Sequence, residues 1–195
     1  MGSQWKKYQG RILRHCSLCG KFHASYKIED PQLGSLILCQ SCWKRREALA
    51  RAAQERLPAG QLDPAAAAII AHYERYAESE RLTRDLGLIE WEHTRELYAR
   101  FLPPPPAVVI DAGGGTGVYT FWLAELGYQA HLVDIVPRHI EQARARLESA
   151  ASGAPAPASM TVGDARALDF PAACADAMIL HGPLYHLTER DERLR

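Results

Sequence analysis

The sequence predicts an α/β fold with a doubly wound parallel sheet for its larger part, preceded by a small cysteine-bearing module. Three observations predict it. From Val108 onward, apolar β-branched runs alternate with helix-like segments, the pattern of parallel strands joined by crossover helices. The first of these runs feeds directly into a glycine cluster, VVIDAGGGTG (108–117). Two CxxC pairs lie far upstream of that pattern, within the first 42 residues.

A chain of 195 residues has room for one domain or one and a half. The apolar fraction of 47% and charged fraction of 24% are ordinary for a globular protein. No apolar run is long enough for a transmembrane helix, so no membrane association is expected. The first residues lack the apolar segment of a secretory signal, which makes the cytoplasm the expected compartment. There thiols stay reduced, and paired cysteines more often hold metal than form disulfides. Charge is divided unevenly. Residues 1–57 hold 11 Lys/Arg and 4 Asp/Glu, a formal +7, and the remainder holds 12 and 19, a formal −7. A basic head and an acidic body suggest two modules with separate partners.

The head contains Cys16, Cys19, Cys39 and Cys42 in the pattern CxxC-x19-CxxC, within the spacing of a four-thiolate zinc site. Each CxxC offers two thiolates from one tight turn, and two such turns complete a tetrahedron with bonds of about 2.3 Å. The spacer has short β-prone pieces around a Pro/Gly turn, and Cys42 opens an Ala/Arg/Glu/Leu-rich helix whose dipole favours bound thiolates. A knuckle, a hairpin and a helix carrying the last ligand pair resemble a treble-clef zinc finger. Four reduced thiols or two disulfides are the alternatives, and His15 and His23 are spare ligands. So small a segment cannot build a sufficient core, which points to a structural ion. Lys6, Lys7, Arg11, Arg14, Lys44, Arg45 and Arg46 offer phosphate or protein contacts, without an RNA-stacking pattern of aromatics. Cys174 stands alone and reads as a small buried hydrophobe. The module is assigned to 1–57, with a linker at 58–63 around Pro58-Ala59-Gly60.

The second domain is assigned to 64–195, its first part (64–102) a helical cover. Asp63-Pro64 reads as an N-cap followed by proline at the first helical position. The following segment carries Ile69, Tyr73, Tyr76 and Leu82 at helical spacing, and Gly87 interrupts it. A second helix carries Trp91, Leu97, Tyr98 and Phe101 and ends at Pro103. These apolar residues read as core contacts. Then come strand VVIDA, a helix over 116–127, strand QAHLVD, a helix over 137–150, a loose SGAPAPA, and strands in SMTVGDA and ADAMILHG. A further helix begins near Thr188.

Glycine-rich turns of this kind serve several phosphate or nucleoside ligands. The dinucleotide fingerprint fits at Gly113 and Gly115, but Val118 stands where its third glycine belongs. That weakens a nicotinamide-dependent oxidoreductase. The missing GK[ST] ending excludes a P-loop. Asp111, Gly113, Gly115 and Gly117 instead resemble the first motif of class I S-adenosylmethionine-dependent methyltransferases. The resemblance extends from about Ala71 to the end of the chain. It implies a Rossmann-like methyltransferase fold, with Asp111 at the amino acid end of the cofactor and Asp134 on the ribose hydroxyls. It places Asp164 and Ala165 at the adenine, and His181 beside the methyl donor or acceptor, as the candidate catalytic residue. His181-Gly182-Pro183-Leu184 stands where amino-methylating members carry an acid or amide before two prolines, and no Pro-Cys pair is present. A small-molecule acceptor therefore fits better than DNA.

The family's sheet runs 3-2-1-4-5-7-6, and this chain supplies only strands 3-2-1-4. A fragment of a longer product is the favoured explanation, ahead of completion by a partner or loss of catalysis. The competing function is a zinc-finger protein, binding nucleic acid or protein, with a vestigial methyltransferase domain.

Overall fold

A computed structural model describes residues 12–17, 21–30, 34–45, 64–76 and 78–193. Cys19, Lys6, Lys7, Arg11, Arg46, Asp63 and the 58–63 linker lie outside the described residues. The chain divides into two compact units, 1–55 with 170–174, and 56–169 with 175–195.

In the first unit, β1 (Ile12–His15), β2 (Phe22–Asp30) and β3 (Gly34–Cys39) form an antiparallel meander in that order. Ile12 pairs with Ser25 and His15 with Phe22, while β2 pairs with β3 from Ser25↔Cys39 to Asp30↔Gly34. Helix α1 (40–45) follows β3 directly. Cys16 N–H closes the turn after β1 by donating to Lys21 O at 3.0 Å. The small core consists of Leu36, Leu38, Cys16, Cys39 and Cys42, with Tyr26 and Trp43 packed against it.

The second unit begins with α2 (Pro64–Tyr73), a 3-10 turn (Glu78–Thr83) and α3 (Leu86–Phe101). The expected long helix across 65–86 is thus broken after Tyr73. Gly87 does not end a helix but lies in the first turn of α3. A Cβ there would sit 1.9 Å from the Arg81 carbonyl oxygen, so this glycine permits a close backbone approach. Of the expected core residues, Leu82 is buried, but Tyr76, Leu97 and Phe101 are exposed. Helical spacing locates an apolar stripe and does not say which of its members the neighbouring elements reach.

β4 (Val108–Ala112), α4 (Val118–Glu125), β5 (Gln129–Asp134), α5 (Pro137–Ser149), β6 (Ser159–Val162) and β7 (Ala177–Ile179) build the sheet. A 3-10 turn (Pro183–Tyr185) and the short α6 (Arg190–Arg193) follow. Strand order is β6-β5-β4-β7, all parallel, which reproduces the expected 3-2-1-4 arrangement. Every residue of β4 and β5 is buried, as strands inside a parallel sheet usually are, the polar Asp111, Gln129, His131 and Asp134 included. Asp176 fixes the start of β7 against β4: its carboxylate accepts the Val108 N–H at 2.8 Å, and its own N–H donates to Val108 O. One core cluster joins Val109, Leu123, Ala130 and Ile179, and another joins Phe121, Leu132, Ile140 and Ala143. Each such large apolar side chain contributes roughly 1.5–3 kcal/mol by burial. Because β5 and β7 flank β4 on opposite sides, the chain direction switches at the carboxyl end of β4, where open α/β sheets place their ligands. Among the described residues, no helix is long and apolar enough to cross a membrane.

Candidate cofactor pocket and thiol cluster

A cavity of about 780 Å³ opens at that switch point in the second unit. β4 delivers Asp111 to its floor, and the glycine loop curls over the end of β5. The loop is pinned by the neighbouring strand: Gly113 N–H donates to Val133 O at 2.7 Å, and Gly115 N–H to Asp134 Oδ2 at 2.8 Å. Gly113 has φ +75°, and a Cβ there would fall 2.2 Å from Pro183 Cγ. Its lack of a side chain lets the segment after β7 lie over the loop.

Asp111, Gly113, Gly115, Asp134, Asp164, Ala165 and His181 all line this cavity. Gly117 does not appear in its wall. It precedes α4, where a Cβ would press on Leu132 at 2.9 Å. Its position serves the packing beneath the loop.

Asp111 is buried and accepts the Thr120 hydroxyl at 2.6 Å. Burial pushes its carboxyl up to about 6, the Thr120 bond opposes that rise, and the Asp134 charge adds to it. Asp134 is more heavily engaged. Besides the Gly115 bond, its Oδ1 accepts the Val136 N–H at 2.9 Å and lies 3.1 Å from His139 Nδ1. A carboxylate has about four acceptor directions, so about one remains for a ligand hydroxyl. Asp164 is held by Arg166, whose Nη2 lies 2.6 Å and Nε 3.1 Å from Oδ2, while its backbone N–H bonds Oδ1 at 2.8 Å. The side chain expected to face an adenine already has a guanidinium partner, a competitor that DAR in the sequence did not announce.

His181 is exposed at the rim. Its ring stacks on Tyr119 at 5.9 Å, Nδ1 lies 3.3 Å from the Tyr98 hydroxyl, and Nε2 faces Glu90 Oε1 at 4.0 Å. Arg81 holds the other Glu90 oxygen at 2.5 Å and Glu78 at 2.6 Å. Burial raises the Tyr98 hydroxyl above its usual range. Across the cavity, Tyr73 meets His186 Nε2 at 2.9 Å and Tyr185 at 3.3 Å, with its ring against His139. Burial also raises Tyr73 and lowers His186. Tyr185 ends the 3-10 turn and His186 follows it.

Sequence reasoning missed Glu78, Arg81, Glu90 and His139 as cavity residues and read Tyr73 as core. All lie on helices or turns whose docking is tertiary, and only Tyr73, in the segment read as a cofactor cover, carried any local signal.

A family model described as a methyltransferase domain matches residues 109–195. The "Ubiquinone/menaquinone biosynthesis C-methyltransferase UbiE" of Caulobacter sp. (strain K31) is 33% identical over 133 residues, which are 63% of this chain and 52% of that protein. The chain therefore spans about half the length of this curated relative. Among solved structures, the glycopeptide N-methyltransferase MtfA complexed with sinefungin has a TM-score of 0.42 at 19% identity, over 52% of this chain and 40% of the other. A TehB-like SAM-dependent methyltransferase from Corynebacterium glutamicum has a TM-score of 0.36 at 20% identity, over 53% and 59%. The methyltransferase-domain match begins within β4 and includes Asp111, the glycine loop, Asp134, Asp164 and His181. Glu78, Arg81 and Glu90 precede it.

In the first unit, the sulfurs of Cys16, Cys39 and Cys42 lie within 4.8 Å of one another, all buried. Sulfurs bound to one tetrahedral zinc at about 2.3 Å stand about 3.8 Å apart, so three thiolates here fit such an ion after slight contraction. The meander and α1 bring them together: Cys16 follows β1, Cys39 ends β3 and Cys42 lies in α1. Cys39 Sγ also lies 3.1 Å from Ser41 Oγ. His15 is exposed, as is Lys44, and Cys174 is buried.

Proposed function

We propose that residues 64–195 bind S-adenosylmethionine and transfer its methyl group to a small-molecule acceptor, and that residues 1–57 hold a structural zinc ion. The observation that carries the first part is the Gly115–Asp134 bond. It fixes a glycine loop and an acid at one end of a cavity that also contains Asp111, Ala165 and His181. When bound, the cofactor supplies an electrophilic methyl carbon on a sulfonium sulfur. Asp134 offers its remaining acceptor direction to a ribose hydroxyl, and Asp111 attracts the cationic amino end. Asp164 and Ala165 line the adenine side, where Asp164 acts with Arg166 already attached. His181 stands at the methyl end. Alignment of the acceptor at about 3–3.5 Å and exclusion of water supply most of the rate in such a displacement.

The relative named for quinone biosynthesis supports a small acceptor. Cys16, Cys39 and Cys42, with Cys19 as the fourth ligand, would hold zinc in a closed site without catalytic chemistry. The alternative, a nucleic-acid- or protein-binding zinc module with a vestigial second domain, leaves the ordered loop and cavity without a role. Titration of S-adenosylhomocysteine into the chain separates them: saturable binding supports the transferase, and its absence from a folded chain favours the vestigial domain.

A further inference from the structure

Glu90 and His181 come from distant parts of the chain, α3 and the segment after β7, yet face one another across the cavity wall. Arg81 binds Glu90 Oε2 at 2.5 Å and leaves Oε1 directed at His181 Nε2, 4.0 Å away. That separation is too long for a hydrogen bond and suits one bridging hydroxyl about 2.8 Å from each atom. A carboxylate facing Nε2 favours the tautomer with its proton there, and the Tyr98 hydroxyl, 3.3 Å from Nδ1, completes that arrangement by donating to Nδ1. The stack on Tyr119 holds the ring plane. The result is an acceptor on one side and a donor on the other, with no open basic nitrogen on His181.

We infer that the Glu90–His181 fork receives a neutral hydroxyl of the methyl acceptor, with Glu90 as the proton acceptor and His181 as the hydrogen-bond donor. This rests on the transferase reading above and names its substrate class: an alcohol, phenol or enol. The hydroxyl oxygen donates its proton toward Glu90 Oε1 and accepts from His181 Nε2–H. As that oxygen forms a bond to the methyl carbon of the sulfonium donor, the carbon–sulfur bond breaks. Its electron pair stays on sulfur, giving a neutral thioether, and the hydroxyl proton ends on Glu90. Tyr98 and Arg81 are positioning residues: one sets the His181 tautomer, the other aims the carboxylate.

The test uses 4-nitrophenol, whose phenolate absorbs visibly and whose neutral form does not. Protein saturated with S-adenosylhomocysteine is added to the probe near its half-ionisation. A fork that prefers the neutral hydroxyl lowers the phenolate band as the complex forms. Glu90→Gln should weaken binding about tenfold and abolish the fall, while Tyr98→Phe should weaken it about threefold and keep the direction. An unchanged or rising phenolate band with wild-type protein, or a Glu90→Gln variant that behaves like wild type, overturns the inference. Failure of S-adenosylhomocysteine itself to bind instead overturns the transferase reading, which keeps the two results apart.

Discussion

Asp134 accepts the backbone N–H of Gly115 at 2.8 Å, so the acid that ends β5 also sets the shape of the loop that follows β4. The same carboxylate accepts the Val136 N–H and faces His139. Asp134→Ala leaves two backbone donors without their acceptor, a loss of about 1–3 kcal/mol. Thermal unfolding should move down accordingly, and Asp134→Asn, which keeps one strong acceptor oxygen, should recover part of the shift. Equal melting temperatures for wild type and Asp134→Ala would contradict this role.

Asp111 predicts a trade between stability and binding. Its carboxyl is raised to about 6 by burial. A raised folded-state value means that the group stabilises the fold fully below its unfolded value, near 3.8, and loses that contribution as pH rises through about 6. At neutral pH the buried charge is therefore a burden. Asp111→Asn should raise stability at pH 7 by roughly 1–3 kcal/mol and flatten its pH dependence between pH 4 and 6. It should also weaken S-adenosylhomocysteine. Denaturant midpoints across that range check the first part, and calorimetry the second.

Gly113→Ala should be costly. The added Cβ meets Pro183 Cγ at 2.2 Å on a backbone at φ +75°, so strain and displacement act together. A destabilisation of about 2–4 kcal/mol is expected. Ala at Gly153, whose φ is also positive but which has open space around it, should cost about 1 kcal/mol. Chemical denaturation of the two variants gives the comparison.

For the first unit, one equivalent of zinc per chain is expected after purification with zinc present. Cys39→Ser should remove most of it, since Cys39 lies in the buried three-sulfur cluster. Emission spectrometry of metal content decides this, and Cys174→Ser provides the control that should keep the ion.

Legibility in the sequence followed the range of the interactions. β4 and β5 were readable to the residue: buried parallel strands favour apolar runs, which VVIDA supplies apart from Asp111, and an acid closes QAHLVD at the strand's end. The 3-2-1-4 order came with the family resemblance. The cover was less readable: Gly87 resembled a helix stop, whereas its small size answers to the Arg81 carbonyl, a contact no local pattern encodes. The chemistry divided in the same way. Motif residues such as Asp111 and Asp134 announced themselves, but their occupied acceptor directions did not. Glu90 looked like any solvent-facing glutamate of an amphipathic helix until the fold brought His181 opposite it.

The most direct measurement is a calorimetric titration of S-adenosylhomocysteine into the wild-type chain and the Asp134→Ala variant. Saturable binding to the wild type, weakened more than tenfold in the variant while both remain folded, is the predicted result. A folded wild-type chain that binds no S-adenosylhomocysteine, or a variant that binds it equally well, would contradict the assignment of this pocket to the methyl donor.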